Sequence, residues 1–252
     1  MKEKLEELYQ KYNRREYAAY DPLVFLYDYE NLHDREITAL IASALAYGRV
    51  AQILKSVASV LKIMGPSPLL FLKENSPNII GKFFTGFRHR FATGEHLADL
   101  LIGAKNILQE YGSLQECFVS GMEKKDENLI SALSLFCNHL RSTGNPGHLV
   151  PLPERGSACK RMNLFLRWMV RKDSVDPGGW DNVPKSKLIV PLDVHMHRIS
   201  RKLGLTARKA ADMRTAREIT AEFARWVPED PVRYDFALTR PGIGGEEMPD
   251  LL

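Results

Sequence analysis

The sequence has few of the features that mark disulfide-rich, zinc-binding or membrane proteins. Its three cysteines lie far apart, at positions 117, 137 and 159, and none stands in C-x-x-C spacing. This pattern supports neither a disulfide framework nor a zinc ribbon. No apolar run approaches the length that crosses a bilayer, and the opening MKEKLEELYQ is charged and unlike a signal peptide. We therefore expect a soluble cytoplasmic protein that does not bind membranes.

Sustained β-type alternation, internal repeats and low-complexity segments are also missing. Apolar residues recur at helical spacing along most of the 252 residues, for example over 50–64, 96–111 and 129–140. Turn-forming breaks fall at GPSP (65–68), at ENSP (74–77) and over 143–157. The pattern predicts an all-α fold of about ten helices, in one large or two small domains. One of these helices is predicted to be capped by Asp34 and to close at Gly48.

The net charge of +4 conceals an uneven distribution. Residues 155–217 hold 15 Lys or Arg and 5 Asp or Glu, a surplus of 10, so the other 189 residues must sum to −6. Such an asymmetry is typical of a protein that presents one face to a polyanion. A solvated helical surface gives the same pattern.

The segment CKRMNLFLRWMVRK (159–172) is amphipathic if it forms a helix. Its polar side carries Lys160, Asn163, Arg167 and Arg171. Lys160 lies near the predicted N-terminus, where the partial positive charge and neighbouring cations lower the pKa of an amine, as a nucleophilic lysine requires. The alternative is an ordinary surface lysine. Arg167 and Arg171 are either phosphate contacts or solvated cations.

The stretch IVPLDVHMHRISRKLGL (189–205) predicts a second helix that starts at Asp193. Asp193 is a helix cap, a metal ligand or a catalytic base. His197 lies on the same side as Asp193, whereas His195 points away, because two residues turn a helix by about 200°. This geometry disfavours a metal site formed by the three residues. Between the two helices, Trp180 lies in a Gly/Pro-rich loop, where it either stacks on a base or anchors the packing.

Three segments resemble the helix-hairpin-helix DNA glycosylase superfamily. LDVHMHRISRKLGL (192–205) is similar to the element in which an aspartate opens a helix, and LPERGSACKRMNLFL (152–166) to the hairpin and lysine-bearing helix of the lyase-competent members. DREITALIASALAYGRV (34–50) resembles an early helix of that fold. The interval of 33 positions between Lys160 and Asp193 is closest to the archaeal 8-oxoguanine glycosylases. The chain also resembles a prokaryotic family that shares the patterns ACKR-x-N-x-FLRWMVR and SKL-I-PLD-x-H.

The resemblance implies two helical subdomains with a cleft between them. One comprises residues 34–187 with a modified hairpin and Lys160, and the other residues 1–33 plus 188–252 with Asp193. Because the C-terminal four-cysteine motif is missing, the resemblance implies no iron–sulfur cluster. We expect no other cofactor and no metal.

The resemblance further implies a base-excision DNA glycosylase with abasic-site lyase activity, acting on a damaged, oxidised base that leaves the stack. Lys160 falls at the Schiff-base lysine and Asp193 at the catalytic aspartate. Further candidates for DNA or base contacts are Arg167, Arg171, Trp180, His197 and Asn163. We expect a monomer, associated with the nucleoid, whose partner is double-stranded DNA with a damaged or abasic site. The alternative is a non-catalytic DNA-binding protein on the same scaffold.

Overall fold

The computed structural model describes residues 1–244. Within them the protein is all-α, as predicted. The α-helices are α1 (Lys2–Tyr12), α2 (Leu32–Ala44), α3 (Val50–Met64), α4 (Pro68–Glu74), α5 (Pro77–Phe83), α6 (Gly94–Tyr111), α7 (Leu114–Ser120), α8 (Ile130–Leu140), α9 (Lys160–Val170), α10 (Val194–Lys202), α11 (Met213–Ala224) and α12 (Asp235–Gly244). Short 3₁₀ helices cover Arg15–Tyr20, Pro22–Asp28, Gly147–Leu149, Pro153–Arg155 and Lys185–Lys187. Two strands, β1 (Arg88–His89) and β2 (Ala92–Thr93), form an antiparallel hairpin.

The helices with the strongest periodicity are confirmed, with small shifts at their ends. The helix predicted over 50–64 is α3, which ends at Gly65 with φ 76°. The helix predicted from residue 96 begins two residues earlier, at Gly94, because Thr93 caps α6 by accepting the N–H of His96 at 3.4 Å. Among residues 1–244 no single helix is long and apolar enough to cross a membrane. In this range, one pair of consecutive helices, α3 and α4, reaches that length and apolar content together, but the two are bent by 53° relative to each other.

The predicted cap at Asp34 is wrong. The N-cap of α2 is Asn31, whose side chain accepts the N–H groups of His33 and Asp34. The Asp34 carboxylate points instead to the start of α4, where it accepts the hydroxyl of Ser67 and the N–H of Leu69, both at 2.8 Å. The Asp34 carboxylate therefore binds the start of a helix that is distant in sequence, although the local sequence predicts that it caps its own helix.

The chain forms two compact units. The first unit comprises Met1–Ala19, Glu127–Leu129 and the chain from Pro153 onward, and the second unit comprises Tyr20–Asp126 and Ile130–Leu152. This division differs from the predicted subdomains, because residues 153–187 group with the C-terminal helices through buried ion pairs to Asp230 and Asp235. The predicted subdomain 188–252 also includes residues 245–252, which lie outside the described residues.

Close packing in the second unit depends on a glycine in α6. A β-carbon added at Gly103 would lie 2.2 Å from the carbonyl oxygen of Leu140, at the end of α8. The two helices can approach this closely because Gly103 has no side chain. Most of the buried side chains of both helices are aliphatic or aromatic, for example Leu100, Leu133 and Phe136.

In the first unit the N-terminal helix is tied to the C-terminal segment. Glu6 of α1 accepts Nη2 of Arg233 at 2.6 Å and the hydroxyl of Tyr234 at 3.1 Å. The Arg233 guanidinium also lies 3.8 Å from the ring centroid of Tyr9. These contacts hold α1 against the chain just before α12.

Candidate active site around Lys160 and Asp193

Lys160 is the first residue of α9, and the chain enters this helix through a residue in the left-handed region. Cys159, the N-cap, has φ 47° and ψ 37°, and its N–H donates to the Ser157 hydroxyl oxygen at 3.1 Å. Nδ2 of Asn163, one turn into the helix, donates to the Ala158 carbonyl at 3.0 Å. Both hydrogen bonds fix the segment before Lys160, so the backbone that carries the lysine is held in place.

Asp193 is the N-cap of α10, as predicted. Its Oδ1 accepts the N–H of Met196 at 2.9 Å. Its Oδ2 lies 3.8 Å from Nζ of Lys160, and the two side chains are 28% (Lys160) and 35% (Asp193) exposed. One carboxylate oxygen therefore caps the helix while the other faces the lysine, and both groups remain accessible from solvent.

The geometry of this pair suits proton exchange through a small movement or one water. A separation of 3.8 Å exceeds a direct N–H···O hydrogen bond by about 1 Å. Both residues also lie at helix N-termini, where the partial positive charge stabilises a carboxylate and disfavours an ammonium group. The adjacent carboxylate can accept a proton from the amine when its nitrogen forms a bond to carbon.

Residues 21–244 match the family described as "Protein of unknown function (DUF2400)". The chain belongs to the DUF2400 family. The matched residues include both Lys160 and Asp193. No curated protein and no solved structure matches the chain. Membership of the DUF2400 family by itself assigns no activity, so the chemistry follows from the residues of the site.

The polar side of α9 faces buried aspartates rather than solvent. Arg167 and Arg171 are each 2% exposed. Arg167 pairs with Asp235 and, through Nε at 3.2 Å, with Asp176. Arg171 binds Asp230 through Nε at 2.9 Å and also pairs with Asp176. The prediction that these arginines contact phosphate is wrong, because burial and ion pairing leave their guanidinium groups out of reach of a DNA backbone.

We call this group the buried charge cluster. Its members are Arg167, Arg171, Asp173, Asp176, Asp230 and Asp235. With two guanidinium groups against four carboxylates, the cluster carries an excess of acid. Burial raises the pKa of Asp176 to about 6, although both arginines oppose this shift. A proton held among these carboxylates therefore relieves their repulsion.

Asp235 is the cluster member that interacts electrostatically with the candidate pair, and it was not predicted from the sequence. Burial raises the pKa of Asp235, and the Arg167 guanidinium opposes this increase. Asp193 raises the pKa further and Lys160 lowers it, each with a smaller effect. No motif surrounds Asp235, and its ion-pair partner Arg167 is 68 positions away in the sequence. Only the tertiary fold reveals it.

Two further predicted contacts are structural. Asn163 is 2% exposed, and its amide is engaged with the Ala158 carbonyl. Trp180 is fully buried, packs edge-on against Phe165 at 5.0 Å between ring centroids, and donates its backbone N–H to the Met169 carbonyl at 2.8 Å. The prediction that these side chains contact DNA or a base is wrong, because neither is exposed. The loop at Trp180 folds back onto α9.

The histidines of α10 do not form a metal site with Asp193. A ring nitrogen of His197, Nε2, lies 3.0 Å from the Arg208 carbonyl oxygen, to which it can only donate. His195 is exposed, and its Nδ1 lies 3.3 Å from Nη2 of Arg198. Within residues 1–244 no group of three His, Cys, Asp or Glu side chains could hold a metal ion. The metal interpretation of this segment therefore has no ligand set in the described part of the chain.

Part of the cationic surplus lies on the exposed side of α10. Three of its cations are exposed, namely Arg198, Arg201 and Lys202. Together with Val194 and His197 they line a shallow pocket of about 390 Å³. We call these cations the basic face. The basic face lies on α10, the helix that Asp193 caps. A phosphate backbone bound there would therefore run along the helix that begins at one member of the candidate pair.

Proposed function

We propose that this protein is a base-excision DNA glycosylase with abasic-site lyase activity, which acts on a damaged, oxidised base. The observation that carries the proposal is the 3.8 Å separation between Nζ of Lys160 and Oδ2 of Asp193. Three features of the site support it. The amine stands at the N-terminus of α9, and the carboxylate is held by its capping bond at α10. The basic face offers phosphate contacts on α10.

The first step replaces the base by the lysine. With the nucleotide flipped out of the duplex, neutral Nζ of Lys160 forms a bond to C1′ of the deoxyribose. The bond between C1′ and the base nitrogen breaks, and the base leaves with the electron pair and takes a proton from water. Asp193 stabilises the positive charge that develops on the sugar and accepts the proton that the bound nitrogen loses.

The second step opens the sugar and breaks the strand. Asp193 returns its proton to the ring oxygen, the bond between this oxygen and C1′ breaks, and a protonated imine forms between C1′ and Lys160. The hydroxide left when the base took its proton from water removes a proton from C2′. The electron pair of this C–H bond forms a C2′–C3′ double bond, and the bond between C3′ and the 3′ phosphate oxygen breaks. Hydrolysis of the imine restores the lysine.

Borohydride trapping tests this proposal directly. Hydride reduces the imine to an amine, so the wild-type protein should become covalently attached to DNA that contains an abasic site. Lys160→Gln should abolish the covalent product and leave DNA binding nearly unchanged, because only one of many cations is removed. Lys172→Gln, which removes an exposed cation just after α9, is the matched control and should trap like the wild type.

The alternative is a DNA-binding protein without chemistry. The exposed basic face of α10 favours this function equally, because it requires neither Lys160 nor Asp193. Strong DNA binding by the wild type without any trapping on abasic or oxidised DNA would select the alternative. Unchanged trapping by Lys160→Gln would show that another amine is the nucleophile.

A further inference from the structure

The tip of the β1–β2 hairpin presents an exposed aromatic side chain. The two strands pair Arg88 with Thr93 and His89 with Ala92, which leaves Arg90 and Phe91 as a two-residue loop. The Phe91 side chain is 73% exposed. Leaving a phenylalanine in water forgoes the stabilisation that burial provides. An exposed aromatic at a loop tip therefore suggests a contact surface.

The hairpin beneath Phe91 is firmly anchored. His89 is fully buried, with Nε2 at 3.1 Å from the Tyr47 carbonyl oxygen and Nδ1 at 2.9 Å from the Ser56 hydroxyl. The Tyr47 hydroxyl donates to the His89 carbonyl at 2.8 Å and lies 2.8 Å from Nε2 of His148. Because the carbonyl can only accept, the His89 Nε2 must be the protonated nitrogen. This network fixes the loop, so Phe91 projects from a rigid base.

One residue of the loop has a strained backbone conformation. Arg90 has φ 52°, at a position where two-residue hairpin loops favour Gly, Asn or Asp. Its side chain lies over Gly48, where an added β-carbon would be 2.9 Å from Cδ of Arg90. A strained backbone conformation that the fold tolerates is a reason to look for function. The guanidinium lies 5.5 Å from the Phe91 ring centroid, so the cation and the aromatic ring form one surface.

The charge of this surface indicates its partner. Three arginines near the tip are exposed, namely Arg49, Arg88 and Arg90. A single aromatic side chain among cations is too small an apolar patch for the core of a protein interface, which is depleted in charge. Cations that hold a phosphate backbone next to an aromatic ring that stacks on a base are the combination found in proteins that bind unpaired nucleotides.

We propose that the hairpin tip binds nucleic acid, with Phe91 stacking on an unpaired base and Arg88 and Arg90 contacting the adjacent phosphates. This inference rests on the proposed function, because it assumes a DNA substrate that contains an unpaired position. It adds a second contact surface, in the second unit. The sequence FRHRF (87–91), in which aromatic and basic residues alternate, is the signal from which it could have been predicted.

Binding to an abasic analogue that cannot react tests the inference. The probe is a duplex with one tetrahydrofuran site, which cannot form an imine, compared with the fully paired duplex. Phe91→Ala should weaken binding to the tetrahydrofuran duplex by about tenfold or more, as expected for the loss of one base–aromatic stack, and should affect the paired duplex less. Phe91→Trp should restore affinity and Phe91→Leu should not. Tyr20→Ala, which removes another exposed aromatic of the second unit (68% exposed), should bind like the wild type.

A second variant separates DNA binding from folding. Arg90→Asn should leave the melting temperature unchanged or higher, because Asn tolerates positive φ, and yet weaken binding because a cation is removed. Wild-type affinity in Phe91→Ala would overturn the inference and leave the proposed function intact. A change in self-association in that variant, without an effect on DNA, would assign the tip to a protein interface and also overturn it. No DNA binding by the wild type would remove the proposed function together with the inference.

Discussion

At the residue scale, the two oxygens of the Asp193 carboxylate are divided between a structural role and the proposed chemical role. Oδ1 caps α10 and Oδ2 faces Lys160. A cap needs only an acceptor, which an amide oxygen also provides, whereas proton acceptance needs a carboxylate. The two roles can therefore be separated by substitution.

We expect Asp193→Asn to fold normally and to lose catalysis. Release of the base from DNA that carries an oxidised lesion should slow by about 10² to 10⁴, the usual contribution of a general acid–base group. The free energy of unfolding should change little, because Asn caps a helix nearly as well as Asp. Single-turnover kinetics and urea unfolding measure the two effects.

Asp193→Ala is the matched variant, and it should lose catalysis and also about 1 kcal/mol of stability with the cap. Wild-type turnover in Asp193→Asn would rule out a proton-accepting role for this carboxylate.

The sequence predicted the pair itself but not the surroundings of the pair. The helix starts at Lys160 and Asp193 could be predicted because local sequence marks helix ends well. The pairing of the two residues was implied by the resemblance to the DNA glycosylases. Arg167 and Trp180 were assigned to DNA on the same local grounds. Arg167 is buried where it pairs with Asp235, and Trp180 is buried because its loop folds back onto α9. Neither feature can be recognised from ten or fifteen consecutive residues.

At the element scale, the capping of helix ends also depends on residues that are distant in sequence. The extent of α3 follows from its own apolar periodicity and was predicted correctly. Asp34 accepts the N–H of Leu69 at the start of α4 rather than capping its own helix, because a carboxylate can bind any N–H group near it in space. Periodicity therefore predicts where helices lie, whereas capping partners depend on tertiary structure.

We expect a single methyl group at Gly103 to disrupt the packing of α6 on α8. The added β-carbon would lie 2.2 Å from the Leu140 carbonyl, so the helices must separate. Gly103→Ala should lower the free energy of unfolding by about 2 kcal/mol or more, within the range for overpacked cores. Equilibrium denaturation measures this change.

Gly81→Ala is the control, for which we expect the free energy of unfolding to increase. Gly81 lies inside α5 and a β-carbon there meets nothing within 4 Å, so alanine should stabilise the protein by about 0.5 to 1 kcal/mol. A neutral result at Gly103 would contradict the close approach of the two helices.

The buried charge cluster should make stability depend on pH. Because the pKa of Asp176 is raised from 3.8 to about 6 in the folded protein, the native state binds more protons than the unfolded state between these values. The stabilising contribution of this group is therefore present below pH 4 and disappears as the pH rises through 6. Asp176→Asn removes the contribution.

The free energy of unfolding of the wild type relative to Asp176→Asn should therefore fall between pH 4 and 7, by at most about 1.4 kcal/mol per pH unit. Urea denaturation over this pH range measures the difference. A difference that stays constant with pH would show that Asp176 is ionised throughout.

At the scale of the whole molecule, net charge is a poor guide to the binding surface. The surplus of 10 over residues 155–217 includes Arg167 and Arg171, whose charge is neutralised by buried aspartates. The cations available to a polyanion are the exposed ones, including the basic face of α10. A count from sequence therefore overestimates how many phosphates the protein can neutralise.

DNA binding should weaken steeply with salt, because each phosphate that the protein neutralises releases counterions with a log–log slope of about −0.9. Changing Arg198, Arg201 and Lys202 together to Gln should make that slope shallower by up to about 2.7, because three fewer phosphates would then be neutralised. Changing three exposed lysines of equal total charge, Lys2, Lys55 and Lys62, should leave the slope unchanged. Fluorescence anisotropy over a range of salt concentrations measures both slopes. Equal slopes in the two triple variants would place the DNA on another surface, and a wild-type affinity that does not respond to salt would exclude a phosphate backbone as the partner.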